Sequence, residues 1–168
     1  MNKVEIKSWI VGFAASKKGM KLPGGAVWRR LARILYPGQF EEPSLIRLRL
    51  TFHLQNLLAS LDVSRRNRER KADDFLRAVA ALKPPCVVLL GREAARLLGL
   101  VALRFFEPRL VASSLFILIP HPINGFQDGR VYTAIWNALN AARSLGDLSR
   151  LARALFMLKD RWNARRSA

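Results

Sequence analysis

Hydrophobic and polar positions along the 168-residue chain follow two different periods. Continuous apolar runs bounded by turn residues predict buried strands, because both faces of such a strand are covered. Strands of this kind are expected at residues 8–13, 87–90 and 115–119. Apolar positions three and four residues apart predict amphipathic helices with one buried face. These helices are expected at residues 26–36, 72–82, 92–98, 130–145 and 148–162.

The segment at 47–58 predicts a further strand. Its first half has the two-residue period of a strand with one buried face. The apolar positions that alternate with polar ones are Ile46, Leu48, Leu50 and Phe52. The polar residues 64–71 then predict a linker to the helix at 72–82.

Strands that alternate with helices predict βαβ units and a parallel sheet covered on both faces. The sequence therefore predicts a single α/β domain. In such sheets ligands bind beyond the carboxyl ends of the strands. The loops at that edge are expected at 12–16, after Asn56, at Gly91 and at 120–129.

The net charge of the chain predicts a class of binding partner. The chain holds 29 Lys and Arg against 12 Asp and Glu, a formal charge of +17. Because charged side chains are rarely buried, this excess lies mainly on the surface and attracts polyanions. A hydrophobic content of 51% excludes a disordered basic tail. The alternative interpretation is a generally basic protein from a GC-rich genome, in which arginine is frequent.

The single cysteine, Cys86, stands just before an apolar run and is expected to be a small buried hydrophobe. It cannot by itself build a disulfide, a zinc site or an iron–sulfur cluster, so no metal or cofactor is expected. The longest apolar run, 110–119, is shorter than the ~20 residues that cross a bilayer. We expect a cytoplasmic protein without a membrane span, and a monomer.

The loop after the strand predicted at 115–119 contains a histidine between two prolines, Pro120-His121-Pro122. Both prolines restrict the backbone, so the imidazole is held in place. A restrained imidazole suits a group that acts at a cleft. The alternative is a rigid turn in which His121 bonds to a neighbouring residue.

Five motifs follow one another along the chain. They are a small-residue loop after the first strand (12–16), a Gly-containing turn before an R-L-x-x-L helix (22–35), Asn-Leu at Asn56, V-V-x-L-G at 87–91 and P-H-P at 120–125. Their order and spacing over about residues 8–145 resemble the uracil-DNA glycosylase superfamily. The resemblance implies a three-layer α/β/α sandwich with a central four-stranded parallel sheet. It assigns residues 1–146 to this domain and leaves 147–168 as a basic C-terminal helix packed on it.

The resemblance also implies roles for individual residues. Glycosidic cleavage builds negative charge on the departing base, which His121 would stabilise. Asn56 would bind the Watson–Crick edge of the flipped base. Base, sugar and water would lie against Gly12, Phe13, Ala14, Ser16 and Leu22, with Ser16 next to the reacting water. DNA would contact Asn124, Gly125, Phe126, Arg130, Arg161, Arg165 and Arg166, with Phe126 or Ile123 as the wedge between bases.

Three features depart from the family pattern. Active members carry an acidic residue or Asn in the first loop to orient the water, whereas this loop offers Ser16. Leu22 stands where an aromatic ring usually stacks on the base, which leaves room for a bulkier, modified base. The four-cysteine cluster of one branch is absent, so no iron–sulfur cofactor is implied. Asp128 precedes a predicted helix and is interpreted as its N-cap rather than as the missing acid.

Three functions are compatible with these observations. The first is a monofunctional DNA glycosylase that acts on uracil or a modified pyrimidine in single- or double-stranded DNA. The second is a catalytically weak or inactive nucleic-acid-binding module of the same fold, which the poor first loop favours. The third is a basic adaptor for an acidic protein, which no motif supports. The His121 turn and Asn56 favour the first.

Overall fold

A computed structural model describes residues 7–14, 26–36, 38–122 and 148–166 of the chain. Within these ranges the chain forms five strands and five helices. The strands are β1 (Trp9–Ala14), β2 (His53–Leu58), β3 (Cys86–Leu90), β4 (Arg109–Val111) and β5 (Ser114–Ile119). The helices are α1 (Ala26–Leu35), α2 (Glu41–Thr51), α3 (Arg65–Leu82), α4 (Arg92–Leu97) and α5 (Leu148–Arg166).

The five strands form one sheet in the order β2-β1-β3-β5-β4. The first four of these run parallel, and β4 pairs antiparallel with β5 at the edge. The α/β class with a mostly parallel sheet is confirmed. The sheet has five strands, however, rather than the four expected.

The additional strand β4 could not be predicted because it is short and its turn lacks the usual turn residues. It spans three residues and reaches β5 through Ala112 and Ser113. Both turn residues have positive φ, 48° and 67°, a backbone that Gly, Asn and Asp adopt more readily. An Ala-Ser pair therefore carries no hairpin signal.

Alternate residues of the strands point into two apolar clusters, one on each face of the sheet. On one face, Ile10, Val88 and Ile117 pack with residues of α1, α2 and α5. On the other face, Val11 and Leu89 pack with residues of α3 and α4. Strands covered on both sides have no polar face, which is why β3 and β5 are almost continuously apolar.

The segment at 47–51 is helical, which corrects the strand expected over the whole of 47–58. These residues are the C-terminal part of α2, and β2 starts after them. The alternating pattern was misleading because Leu48 is buried while Ile46 and Leu50 remain 48% and 68% exposed. The helical signal is the pair of acidic residues in the first turn, which interact favourably with the helix dipole.

The linker expected at 64–71 is also wrong, because α3 starts at Arg65. Ser64 is its N-cap, and the hydroxyl accepts a hydrogen bond from the Asn67 N–H at 3.4 Å. No residue in the first two turns is buried, so they show no apolar period. Their helical signals are the cap and an ion pair between Arg65 and Glu69, four positions apart.

Helix α5 is present as the apolar spacing at 148–162 predicted, and it continues to Arg166. Leu155 and Leu158 are buried on the face of the sheet that α1 and α2 cover. Neither α5 nor any other described helix is long and apolar enough to cross a bilayer.

The cysteine of β3 belongs to the core, as expected. Cys86 is almost completely buried, and burial raises the pKa of its thiol because desolvation penalises the thiolate. The side chain therefore behaves as a small apolar residue.

We expect Ser64→Ala to lower the free energy of unfolding by about 0.5–1 kcal/mol, because it removes the acceptor for the Asn67 N–H at the start of α3. The measurement is urea denaturation followed by circular dichroism. Ser60→Ala, in the preceding loop, is the matched control and should change the free energy by less than about 0.5 kcal/mol. Equal losses in the two variants would contradict the assignment of Ser64 as the N-cap.

Candidate functional site

A cavity of about 570 Å³ opens at the carboxyl edge of the parallel strands. Its wall is formed by the ends of β1 and β3, Asn56 on β2, the turn after β5 and the helix α5. Five of the candidate site residues line it: Gly12, Phe13, Ala14, Asn56 and His121. Its volume lies within the ~300–1,000 Å³ of small-molecule sites, so these residues share a space large enough for a ligand.

The Asn56 amide is one polar group of the cavity. The parallel register of β1 and β2 sets Asn56 beside Gly12. A Cβ atom on Gly12 would collide with Asn56 Oδ1, and it would also contact Trp28 Cζ2 at 3.8 Å. Glycine therefore leaves the space in which the Asn56 amide lies next to β1. An amide offers two donors and an acceptor, the pattern needed to bind a polar ring edge.

The His121 imidazole is the second polar group, and the turn after β3 helps to place it. The Gly91 N–H donates to Ile119 O at 2.8 Å, which joins the end of β3 to the end of β5. Gly91 has φ +84°, and a Cβ atom there would lie 3.3 Å from His121 Cβ. Glycine thus adopts the positive φ without strain and allows His121 to pack directly on this turn.

A side chain of α1 anchors the histidine loop. Arg30 Nε donates a hydrogen bond of 3.0 Å to the carbonyl oxygen of Pro122, 92 positions away in the sequence. Pro120 and Pro122 are both buried. Because the prolines restrict the backbone and Arg30 holds a carbonyl of the loop, His121 has little freedom to move. Arg30 lies in the R-L-x-x-L motif, from which this contact could not be predicted.

Burial lowers the pKa of His121 below its usual value, because desolvation penalises the charged imidazolium. The side chain is half-buried, and its apolar neighbours in the cavity wall include Leu90 and Pro120. The imidazole is therefore neutral at neutral pH, with one N–H donor and one acceptor. Its N–H can stabilise an oxygen that gains negative charge during a reaction.

The cavity also contains residues that the sequence patterns did not identify. Arg92 and Glu93 open α4, and the Arg92 guanidinium lies 4.6 Å from the centroid of the Phe105 ring. Trp162 reaches the cavity from α5, with its ring centroid 5.8 Å from that of Phe105. The V-V-x-L-G motif directly precedes Arg92 and Glu93 and could have identified them. Trp162 depends on how α5 packs, which local patterns do not encode.

Glu93 is the one carboxylate among the described residues that line the cavity. It forms an ion pair of 2.6 Å with Arg96, one turn further along α4. Both side chains are more than half exposed, so this pair contributes little to stability. Among the described residues of the cavity wall, Glu93 therefore offers a carboxylate that can orient a water molecule.

Exposed arginines stand on three helices, and one of them, Arg92, lines the cavity. They begin α3, begin α4 and lie near the end of α5, and we call them the arginine rim: Arg65, Arg66, Arg92 and Arg161. The predicted DNA-binding residues Arg165 and Arg166 belong to the last turn of α5. Positive charge on a protein surface raises the local concentration of anionic ligands.

Several predicted positions lie outside the described residues. Among the candidate site residues these are Ser16, Leu22, Ile123, Asn124, Gly125, Phe126 and Arg130. The helix expected at 130–145 and the N-cap at Asp128 lie there too. Their roles stay predictions from the sequence.

The second histidine of the chain lies at the opposite end of the sheet. His53 begins β2, and its ring centroid lies 5.0 Å from that of Trp9. It is exposed, and Nε2 lies 3.3 Å from Gln55 Oε1. His53 is therefore a matched control for substitutions of His121.

Comparison of the chain with models of known protein families and with curated proteins gave no match. Within the described ranges, no group of three or more His, Cys, Asp or Glu side chains is arranged to hold a metal ion. The function is therefore inferred from the residues of the cavity.

We expect the His121 imidazole to titrate below pH 6.5, because burial disfavours its protonation. The unfolded chain then takes up this proton at a higher pH than the folded protein. The free energy of unfolding consequently falls as the pH drops from 6.5 through the folded pKa. NMR titration of the ring protons, assigned with His121→Gln, measures the pKa. A midpoint at or above 6.5 would contradict the burial of His121.

Gly12→Ala is expected to destabilise the fold by about 1–3 kcal/mol, because the added methyl group collides with Asn56 Oδ1. Asn56→Ala in the same chain removes the colliding atom, so the double variant should lose less than the sum of the two single variants. Urea denaturation of all four proteins in this cycle gives the free energies. Simple additivity would rule out the close approach of the two residues.

Proposed function

We propose that this protein binds DNA, flips a pyrimidine out of the strand and hydrolyses its N-glycosidic bond. The observation that carries the proposal is the meeting of Gly12, Asn56 and His121 at one cavity, although they are far apart in the sequence. The resemblance to the uracil-DNA glycosylase superfamily assigns these same residues to base binding and catalysis. The proposed substrate is uracil or a modified pyrimidine.

The placement of the helices supports a three-layer α/β/α sandwich, the fold that the resemblance implies. Residues of α1, α2 and α5 pack on one face of the sheet, and residues of α3 and α4 pack on the other. The four parallel strands are neighbours, with β4 added outside β5. Ligands of such folds bind beyond the carboxyl ends of the strands, where this cavity lies.

The two polar groups of the cavity suit the two requirements of the departing base. The Asn56 amide can pair with the donor and acceptor on the edge of a flipped pyrimidine. When the glycosidic bond breaks, its electrons pass to the base and a ring oxygen becomes negative. The N–H of a neutral His121, in a loop that Arg30 anchors through Pro122, would stabilise that oxygen.

Hydrolysis also needs a water molecule directed at the anomeric carbon of the sugar. The resemblance assigns this task to the first loop, in which Ser16 is the available side chain. Glu93 is a second group for it, since its carboxylate lines the cavity. Either side chain would accept a hydrogen bond from the attacking water. The water oxygen bonds to the anomeric carbon and its proton passes to the Glu93 carboxylate or to the solvent, while the departing base takes up a proton from the solvent.

The charge of the chain supports DNA as the partner. The chain has a formal charge of +17, and Arg92 of the arginine rim lines the cavity. Phosphates on either side of a flipped nucleotide would meet these guanidinium groups. We propose that the protein acts as a monomer in the cytoplasm, where reducing conditions suit the lone buried thiol of Cys86.

A catalytically weak DNA-binding module is the second candidate. The observation that favours it is the composition of the first loop, Gly-Phe-Ala-Ala-Ser, which contains neither a carboxylate nor Asn. Such a protein would hold an extruded base in the same cavity and leave the glycosidic bond intact. The fold does not separate these two functions, so activity has to be measured.

Excision assays separate the two candidates. We expect the protein to convert oligonucleotides that contain uracil or a ring-substituted uracil into alkali-labile abasic products. His121→Ala should slow excision about 100- to 1,000-fold, the usual effect of removing one donor to a developing oxyanion, and leave DNA affinity nearly unchanged. His53→Ala should retain the full rate. If no pyrimidine substrate yields an abasic product, the glycosylase function is wrong and the binding module takes its place.

A further inference from the structure

The C-terminal helix supplies one wall of the cavity through Trp162. The indole meets two phenylalanine rings edge to face. Its centroid lies 5.8 Å from that of Phe105 at an interplanar angle of 64°, and 6.4 Å from that of Phe106 at 68°. Such edge-to-face contacts are favourable, and they set the orientation of the indole.

The position of Trp162 along the cavity is fixed by contacts of the preceding turns of α5. Lys159, three positions earlier and therefore on the same side of the helix, forms an ion pair of 2.7 Å with Glu107. The hydrogen bond from Lys159 lowers the pKa of Glu107. Leu158 and Leu155 are buried in the core, one and two turns before Trp162 respectively. Apolar and ionic contacts together determine where the indole stands.

Two other aromatic rings line the cavity, and both, like Trp162, contact other side chains of the protein. Phe13 packs against the apolar cluster on the face of the sheet that α3 and α4 cover, whereas Trp162 packs against the cluster on the opposite face. Phe105 lies under the Arg92 guanidinium and against the indole. Trp162 has the largest ring of the three, and it packs against the cluster that contains Trp28, the residue beside Gly12 and Asn56.

We propose that Trp162 is the side chain on which the bound pyrimidine stacks. This proposal rests on the function proposed above and adds the residue that gives the cavity its preference for an aromatic ring. The sequence resemblance implies that Leu22 replaces the ring that usually stacks on the base, and Trp162 supplies a ring from α5. The indole binds the flat face of the base, while Asn56 and His121 bind its polar edge.

The proposal makes α5 part of the binding site rather than only a basic appendage. A stacking contact responds to the area of the ring and tolerates substituents on it, whereas the amide and imidazole respond to the pattern of donors and acceptors. Trp162 would therefore set the affinity for a flipped base, and the polar groups would set its identity.

The test uses two single-stranded oligonucleotides that differ at one position, where one carries uracil and the other an abasic site. Every protein in the series carries His121→Ala, so that the uracil stays attached. The starting protein should bind the uracil oligonucleotide more tightly than the abasic one. Trp162→Leu keeps apolar bulk against Phe105 and Phe106 but has no ring, and it should reduce this preference about 5- to 150-fold.

Two further variants control for changes in helix packing. Trp162→Phe should retain most of the preference, and Phe156→Ala, at a position of α5 that is 71% exposed, should retain all of it. Circular dichroism checks that each variant is folded. An unchanged preference in Trp162→Leu would overturn the proposal, and so would the lack of any preference in the starting protein. Excision by the protein with its native His121 decides the glycosylase function separately.

Discussion

The register of the parallel strands determines where a site can form in this protein. Gly12 pairs with Asn56 across β1 and β2, and Leu90 pairs with Ile119 across β3 and β5. His121 follows two residues after the end of β5, so all these groups arrive at the same edge of the sheet. A slip of one residue in any strand would turn its side chains to the opposite face. The apolar core that fixes the register therefore also fixes the site.

Two glycines at this edge of the sheet leave room for polar side chains in the cavity wall. Gly12 leaves room for an amide, and Gly91 leaves room for an imidazole. A Cβ atom would collide with the amide at Gly12 and would lie in tight contact with His121 at Gly91. The polar groups are consequently packed against the backbone as closely as core residues are packed against each other. Close packing restricts the orientation of both side chains, and a restricted hydrogen-bond donor stabilises charge more effectively than a mobile one.

The parts of the fold that the sequence predicts correctly are those in which apolar character and burial coincide. Strands β3 and β5 are covered on both sides, so their apolar runs were sufficient. Helix α2 was mistaken for a strand because Ile46 and Leu50 are apolar yet exposed, and the start of α3 is stabilised by a cap rather than by burial. Asn56 and His121 lie in short motifs beside strands and could be placed at the carboxyl edge. Trp162 could not, because its place depends on tertiary packing of α5.

Helix α1 touches both halves of the cavity wall. Trp28 lies next to Gly12, and two residues later Arg30 holds the carbonyl oxygen of Pro122. Trp28 and Leu31 are completely buried, so the helix is locked to the sheet. Any displacement of α1 would move Trp28, which lies beside Gly12 and the Asn56 amide, and Arg30, which holds the histidine loop, in the same direction. The same helix thus holds the Asn56 end and the His121 end of the site, so the relative position of the two groups is kept or lost as a whole.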